Sequence, residues 1–157
     1  LDMSDPNTLR AALQPLLDVL RDADPADPAL ADALNTSFPL SGDVLTQVRA
    51  LVDAGLAGGW LCPREAGDVR FGRLAKAADG FSIDAVDMRG PGPGHRHPGG
   101  EIDLCFALEG APRFDGRAPG WTVYPPGSWH VPTVTGGRMA ILYFLPGGQI
   151  RFGPRDS

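Results

Sequence analysis

The chain contains only three histidines, His95, His97 and His130, and a single residue separates the first two. In an extended strand residues i and i+2 face the same way, so His95 and His97 can present both imidazoles to one point. Glu101 follows with the same parity after Pro98-Gly99-Gly100, a turn flexible enough to swing a carboxylate back toward that point. Much later, Pro125-Pro126-Gly127-Ser128-Trp129-His130 delivers the third histidine from a turn at the start of another strand. Three imidazoles and a carboxylate suit a divalent Fe, Mn, Ni, Co or Zn ion, and ligand type alone does not choose among these metals. Four protein ligands leave room on an octahedral ion for water or substrate, where the ion serves as a Lewis acid or lowers the pKa of bound water. A lone histidine is more often a surface or satisfied core residue, but here the spacing gathers every histidine in the chain.

Positioning these groups requires strands, and the chain supplies them after a helical beginning. Leu9, Leu13, Leu16, Leu17 and Leu20 form one helical stripe, which Pro15 kinks or delays. Asp27-Pro28 is expected to open a short second helix reaching about Asn35. Ser41 or Asp43 is expected to cap a third, with Val44, Leu45, Val48, Leu51, Val52 and Leu56 on one face and Gly55, Gly58 and Gly59 ending it. From Trp60 the helical period vanishes. Runs at 69–75, 81–88, 101–108, 120–124 and 138–145 alternate with Gly/Pro/Asp turns, implying an antiparallel sandwich or small barrel. The division expected is 1–58 as a helical segment packed on a barrel of 59–157, together one structural domain. Charge divides at the same place: 1–58 is net −6 and acidic on its outer surface, and 59–157 is net +1.

With 157 residues, the chain has room for one ordinary domain. It carries 43% hydrophobic residues, 21 Gly and 16 Pro, which disfavours disorder and favours a turn-rich β domain. A net charge of −5 and a single lysine, Lys76, leave no basic surface for nucleic acid. The longest apolar run, 139–145, is far short of the ~20 residues of a spanning helix, so no membrane partner is expected. Leu1 and Asp2 precede Met3, a plausible initiator, and the acidic stretch after it lacks a signal peptide's apolar core; the cytoplasm is the expected compartment. Cys62 and Cys105 make neither a disulfide framework nor a CxxC pair and are expected to be reduced packing residues. The run 141–145 and the open barrel edges suggest a homodimer.

The segments GHRHPGGEIDLCFALEG and GWTVYPPGSWH resemble the two signature motifs of the cupin superfamily. Gly110 falls later than that pattern expects, which leaves the following turn undefined but does not touch the ligands. The resemblance implies a mainly β fold, a double-stranded β-helix (jelly-roll) barrel with the metal inside, preceded here by about three helices. A narrower resemblance, carried by RFGRLAKAADGFSIDAV, HRHPGGEIDL and RFDGRAPGWTVYPPGSWHVPTVTGGRMAILYFLPGGQIRF, is to the 4-hydroxylaminobenzoate lyases. That family takes 4-hydroxylaminobenzoate and water to 3,4-dihydroxybenzoate (protocatechuate) and ammonia, so the partner implied is a small aromatic carboxylate.

Such a reaction needs proton transfer near the metal. Strand parity places Asp103 on the face of Glu101, and these two are the candidate catalytic carboxylates; a bulge that breaks parity would make Asp103 merely structural. Cys105 shares that face as a small filler. A substrate carboxylate calls for a planar arginine. Arg73, inside an apolar strand, is preferred over the turn residues Arg113 and Arg117; Arg96 should face away from the metal, and Arg138 is a further candidate. Trp121, Tyr124, Trp129 and Tyr143 could stack on a ring or fill the core. The competing activities are an Fe(II)-dependent cupin dioxygenase acting on a small organic acid, a non-catalytic cupin that binds a small ligand, and a sugar or keto-acid isomerase.

Overall fold

The computed structural model describes residues 4–156; Met3, the plausible initiator, lies outside them. Asp5 caps the first helix, α1 (Pro6–Ala12), by accepting from Thr8 N at 2.8 Å. Pro15 has no N–H to continue it, so a second helix, α2 (Gln14–Leu20), begins after Leu13. The proline thus divides the expected first helix in two, and the described residues form four helices rather than about three. The leucine stripe survives the break: Leu9, Leu13, Leu16, Leu17 and Leu20 are all buried. The Asp27 carboxylate accepts from Ala29 N in a turn, and α3 (Leu30–Ser37) starts after it without a side-chain cap. At α4 (Asp43–Ala57) the cap is Gly42, not Ser41 or Asp43, and Asp43 sits in the first turn. Gly55 is needed there because a Cβ would lie 2.8 Å from the Trp60 ring.

Among the described residues nine strands follow: β1 (Arg64–Ala66), β2 (Val69–Ala78), β3 (Phe81–Met88), β4 (His95–His97), β5 (Glu101–Phe114), β6 (Gly120–Tyr124), β7 (Ser128–His130), β8 (Val134–Pro146) and β9 (Arg151–Phe152). They form a six-stranded sheet in the order β1-β2-β3-β8-β5-β6 and a three-stranded sheet in the order β7-β4-β9. All the pairings are antiparallel.

Both faces of the large sheet are covered, which is why its central strands are apolar throughout rather than alternating. One face, with Ile83, Ala85, Ile102, Leu104, Phe106, Leu142 and Phe144, shares a core with the helical leucines. The other, with Val86, Met88, Cys105, Ile141, Tyr143 and Leu145, packs with Phe114 and Val134 in a second core. The run 141–145, read as a dimer surface, is instead interior, because β8 lies between β3 and β5. Helix α3 docks on the edge strand through Asn35, whose Oδ1 accepts from Trp121 N at 2.9 Å and whose Nδ2 donates to Trp121 O at 3.3 Å. Cys62 and Cys105 are buried free thiols. Among the described residues no helix is long and apolar enough to cross a membrane.

Candidate metal centre

The short strand β4 pairs with β7 so that His95 lies opposite His130 and His97 opposite Ser128. Gly100, at φ +88, allows the 98–100 turn to fold back, and β5 starts at once with Glu101. A Cβ at that glycine would meet Pro25 Cβ at 2.6 Å, so the turn is wedged as well as bent. His95, His97 and Glu101 are buried and His130 nearly so, with ligand atoms all within 4.8 Å of one another. Glu101 Oε1 is 3.3 Å from His95 Nε2, and Oε2 is 3.1 Å from His97 Nε2 and 3.4 Å from His130 Nε2.

Each imidazole is fixed from behind. His95 Nδ1 donates to the Pro93 carbonyl at 3.2 Å, and His130 Nδ1 to Asp115 Oδ2 at 2.6 Å. Ser128 Oγ gives its own proton to Pro125 O at 2.6 Å and is left to accept from His97 Nδ1 at 2.9 Å. With the Nδ1 protons committed to acceptors, the three Nε2 lone pairs point inward, as metal ligation requires. His95 Nε2 and His130 Nε2 then lie 3.1 Å apart beside a carboxylate, and such an arrangement repels itself unless something positive sits between. In the ion-free protein a proton does so. Burial alone would push His130 down, but Asp115 and Glu101 outweigh it and hold the imidazole up at about 9. Burial would likewise raise the Glu101 carboxyl, yet the three imidazoles hold it well below the usual range. The donor set therefore fits a divalent cation.

Asp103 is fully buried on the same inner face, opposite Tyr143 and Thr122, and neither of its oxygens has a hydrogen-bond partner. Burial, and then the Glu101 charge, push its carboxyl well above the usual range. Cys105 is buried two residues on, its thiol likewise pushed up, chiefly by burial. Arg73 lies on this row too, but at β2, beyond β8 and β3. Its side chain is 51% exposed and its Nε donates to Asp84 at 2.8 Å, so the structure does not bring it to the cluster. Arg96 faces away, as expected, donating to Gly127 O at 2.6 Å. Arg138 pairs with Asp87 and Glu109.

Sequence reasoning overlooked Asp115, Ser128 and the Pro93 carbonyl, and did not single out Tyr124 as a site residue. Tyr124 bonds Asp115 through its hydroxyl and lays its ring 4.2 Å from that of His130. Asp115, held at φ +48, also accepts from Thr133 N at 2.9 Å. Its only sequence signal is an Asp-Gly pair that reads as a turn. The late Gly110 is no turn at all; β5 runs on through register shifts to Phe114 and so carries Asp115 to the site.

Two antiparallel sheets enclosing three histidines and a glutamate on their inner faces define a cupin-type β-barrel protein. A profile of the family described as PnbB, 4-hydroxylaminobenzoate lyase, matches residues 11–152. A 4-hydroxylaminobenzoate lyase of Nocardioides sp. (strain LMS-CY) is 34% identical over 96% of either chain. One from Pseudomonas putida is 29% identical over 76% of this chain and 80% of its own. An RmlC-like cupin from Ralstonia eutropha is similar in structure at 14% identity, over 62% of this chain and 68% of that one, with a TM-score of 0.45. The chain belongs to the 4-hydroxylaminobenzoate lyase family.

Proposed function

We propose that this protein is a metal-dependent lyase that converts 4-hydroxylaminobenzoate and water to 3,4-dihydroxybenzoate and ammonia. The observation that carries the reading is the buried His95–His97–Glu101–His130 cluster in a chain of this family. The reaction breaks the N–O bond and the ring C–N bond, forms C–O bonds at the ring carbon beside nitrogen and at the carbon that bore the nitrogen, and releases ammonia. The N–O bond already holds the oxidising equivalent, so atoms and electrons balance with water alone.

His95, His97, Glu101 and His130 would hold the ion, which is Fe, Mn, Ni, Co or Zn. Once bound, it supplies a Lewis acid for oxygen and lowers the pKa of a coordinated water. Pro93 O, Ser128 Oγ and Asp115 keep the three imidazoles in the ligating tautomer. Asp103, with both carboxyl oxygens unpartnered on the inner face, has the placement to hand a proton to the departing hydroxyl and to take one from the attacking water. The Tyr124 ring lies against His130, with centroids 4.2 Å apart.

The deciding experiment is anaerobic incubation of metal-loaded protein with 4-hydroxylaminobenzoate, following both products by chromatography. Equal amounts of catechol acid and ammonia are expected. Turnover only after air is admitted, beyond spontaneous oxidation, would replace the lyase with an oxygenase. No turnover in either atmosphere would leave a binding protein.

A further inference from the structure

We propose that Arg117 receives the carboxylate of an aromatic acid, in a cleft between the 25–28 turn and the edge strand β6, the strand whose Tyr124 ring lies against His130. The inference rests on the reading above in one respect, that the ligand is a benzoate. The cleft has a volume of about 360 Å3, within the range of small-molecule sites, and its walls include Pro25, Pro28, Ala31, Arg117, Trp121 and Thr122. Flat apolar walls suit an aromatic ring. Arg117 is the only cation among the lining residues, and the acid there, Asp27, is turned into its own loop, accepting from Ala29 N.

Two features connect this cleft to the chemistry. The Arg117 guanidinium lies 5.2 Å from the centre of the Tyr124 ring, and that ring is 4.2 Å from His130. Arg117 is thus common to the cleft lining and to the Tyr124–His130 ring pair, and a benzoate held by it would direct its para substituent toward the imidazoles. Thr122 lines the cleft yet sits opposite Asp103 in the strand register, and its buried Oγ1 has no hydrogen-bond partner. A buried hydroxyl left unpaired beside an unpaired carboxyl marks a place for polar atoms of a ligand.

The strand arginine is already engaged. Arg73 is bound by Asp84, and a carboxylate arriving there would have to displace one already in place. Among the described residues no acid pairs with the Arg117 side chain, whose partner is the Tyr124 ring. A guanidinium resting on an aromatic face keeps its N–H edges free for a bidentate anion.

Calorimetric titration of the metal-loaded full chain with 4-aminobenzoate and its uncharged counterpart 4-aminobenzamide tests this. The acid should bind tighter by on the order of tenfold or more. Arg117→Gln should abolish that preference while leaving the amide's affinity alone, Arg117→Lys should restore part of it, and Arg113→Gln, at the end of β5 just before this turn, should keep it in full. A preference that survives in Arg117→Gln, one lost in Arg73→Gln, or none in the parent protein would overturn the assignment. Anaerobic turnover run beside it separates the two readings. An Arg117-dependent preference without ammonia release removes the reaction and leaves the subsite; ammonia release with an unchanged KM in Arg117→Gln does the reverse.

Discussion

Replacing Asp115 by asparagine removes one negative charge and almost nothing else. The carboxylate accepts from His130 Nδ1 at 2.6 Å, from the Tyr124 hydroxyl and from Thr133 N at 2.9 Å, at a backbone φ of +48. Asparagine tolerates that left-handed conformation and retains a carbonyl for Thr133, so the bend should persist. Lost are the charge that makes His130 a stronger donor to metal and the certainty that Nδ1 carries the proton. Partners of this kind contribute roughly ten- to a hundredfold to metal affinity, or about 1.4 kcal/mol for each tenfold. The assay is competition for Zn or Mn against a chelator of known affinity, with circular dichroism to establish that the variant is folded. In the ion-free variant the His130 titration, read by NMR, should also fall from about 9 toward its ordinary value of 6.5. Metal affinity within twofold of the parent would refute the view that Asp115 tunes the site through His130.

His97→Ala should lose most bound metal, measured by elemental analysis of the purified protein, together with activity. Asp103→Asn should keep its metal but turn over more slowly; unchanged kcat would remove Asp103 from the mechanism. The raised His130 pKa stabilises the ion-free fold fully below about 6.5 and ceases to do so as pH climbs through about 9. Metal must expel that proton, so its apparent affinity should rise across this window, with about one proton released near neutral pH in calorimetry across buffers of different ionisation heat. Leu16→Ala, deep between the helices and the large sheet, should cost about 2–5 kcal/mol in denaturant titration. The helices and barrel should still melt in a single step, because one core contains both.

That His95, His97 and Glu101 converge was legible because their signal is local: a two-residue spacing, a bending turn and strand parity. The strands at 81–88 and 120–124 were legible for the same reason and match β3 and β6 to the residue. What escaped were features set by tertiary pairing. The strands β4, β7 and β9 are two or three residues long and exist because they pair with one another. Parity could not be carried from Asp103 to Asp115, since register shifts fall between Ala107 and Glu109 and between Gly110 and Arg113. Arg73 was read correctly as a strand residue, but a linear sequence does not reveal that Asp84 lies directly opposite.

Strand β5 carries Glu101, Asp103 and Cys105 toward the barrel and Ile102, Leu104 and Phe106 toward the helices. A single inserted or deleted residue in its first half would exchange the two sets, burying both carboxylates among leucines and aiming the hydrophobic side chains at the metal. Descent can therefore edit this segment letter by letter but not change its length. Beyond Leu108 the constraint relaxes, since the bulges there already absorb extra residues. Length variation among relatives should collect in that half of the strand, and with it variation in how the Asp115 carboxylate is delivered to His130.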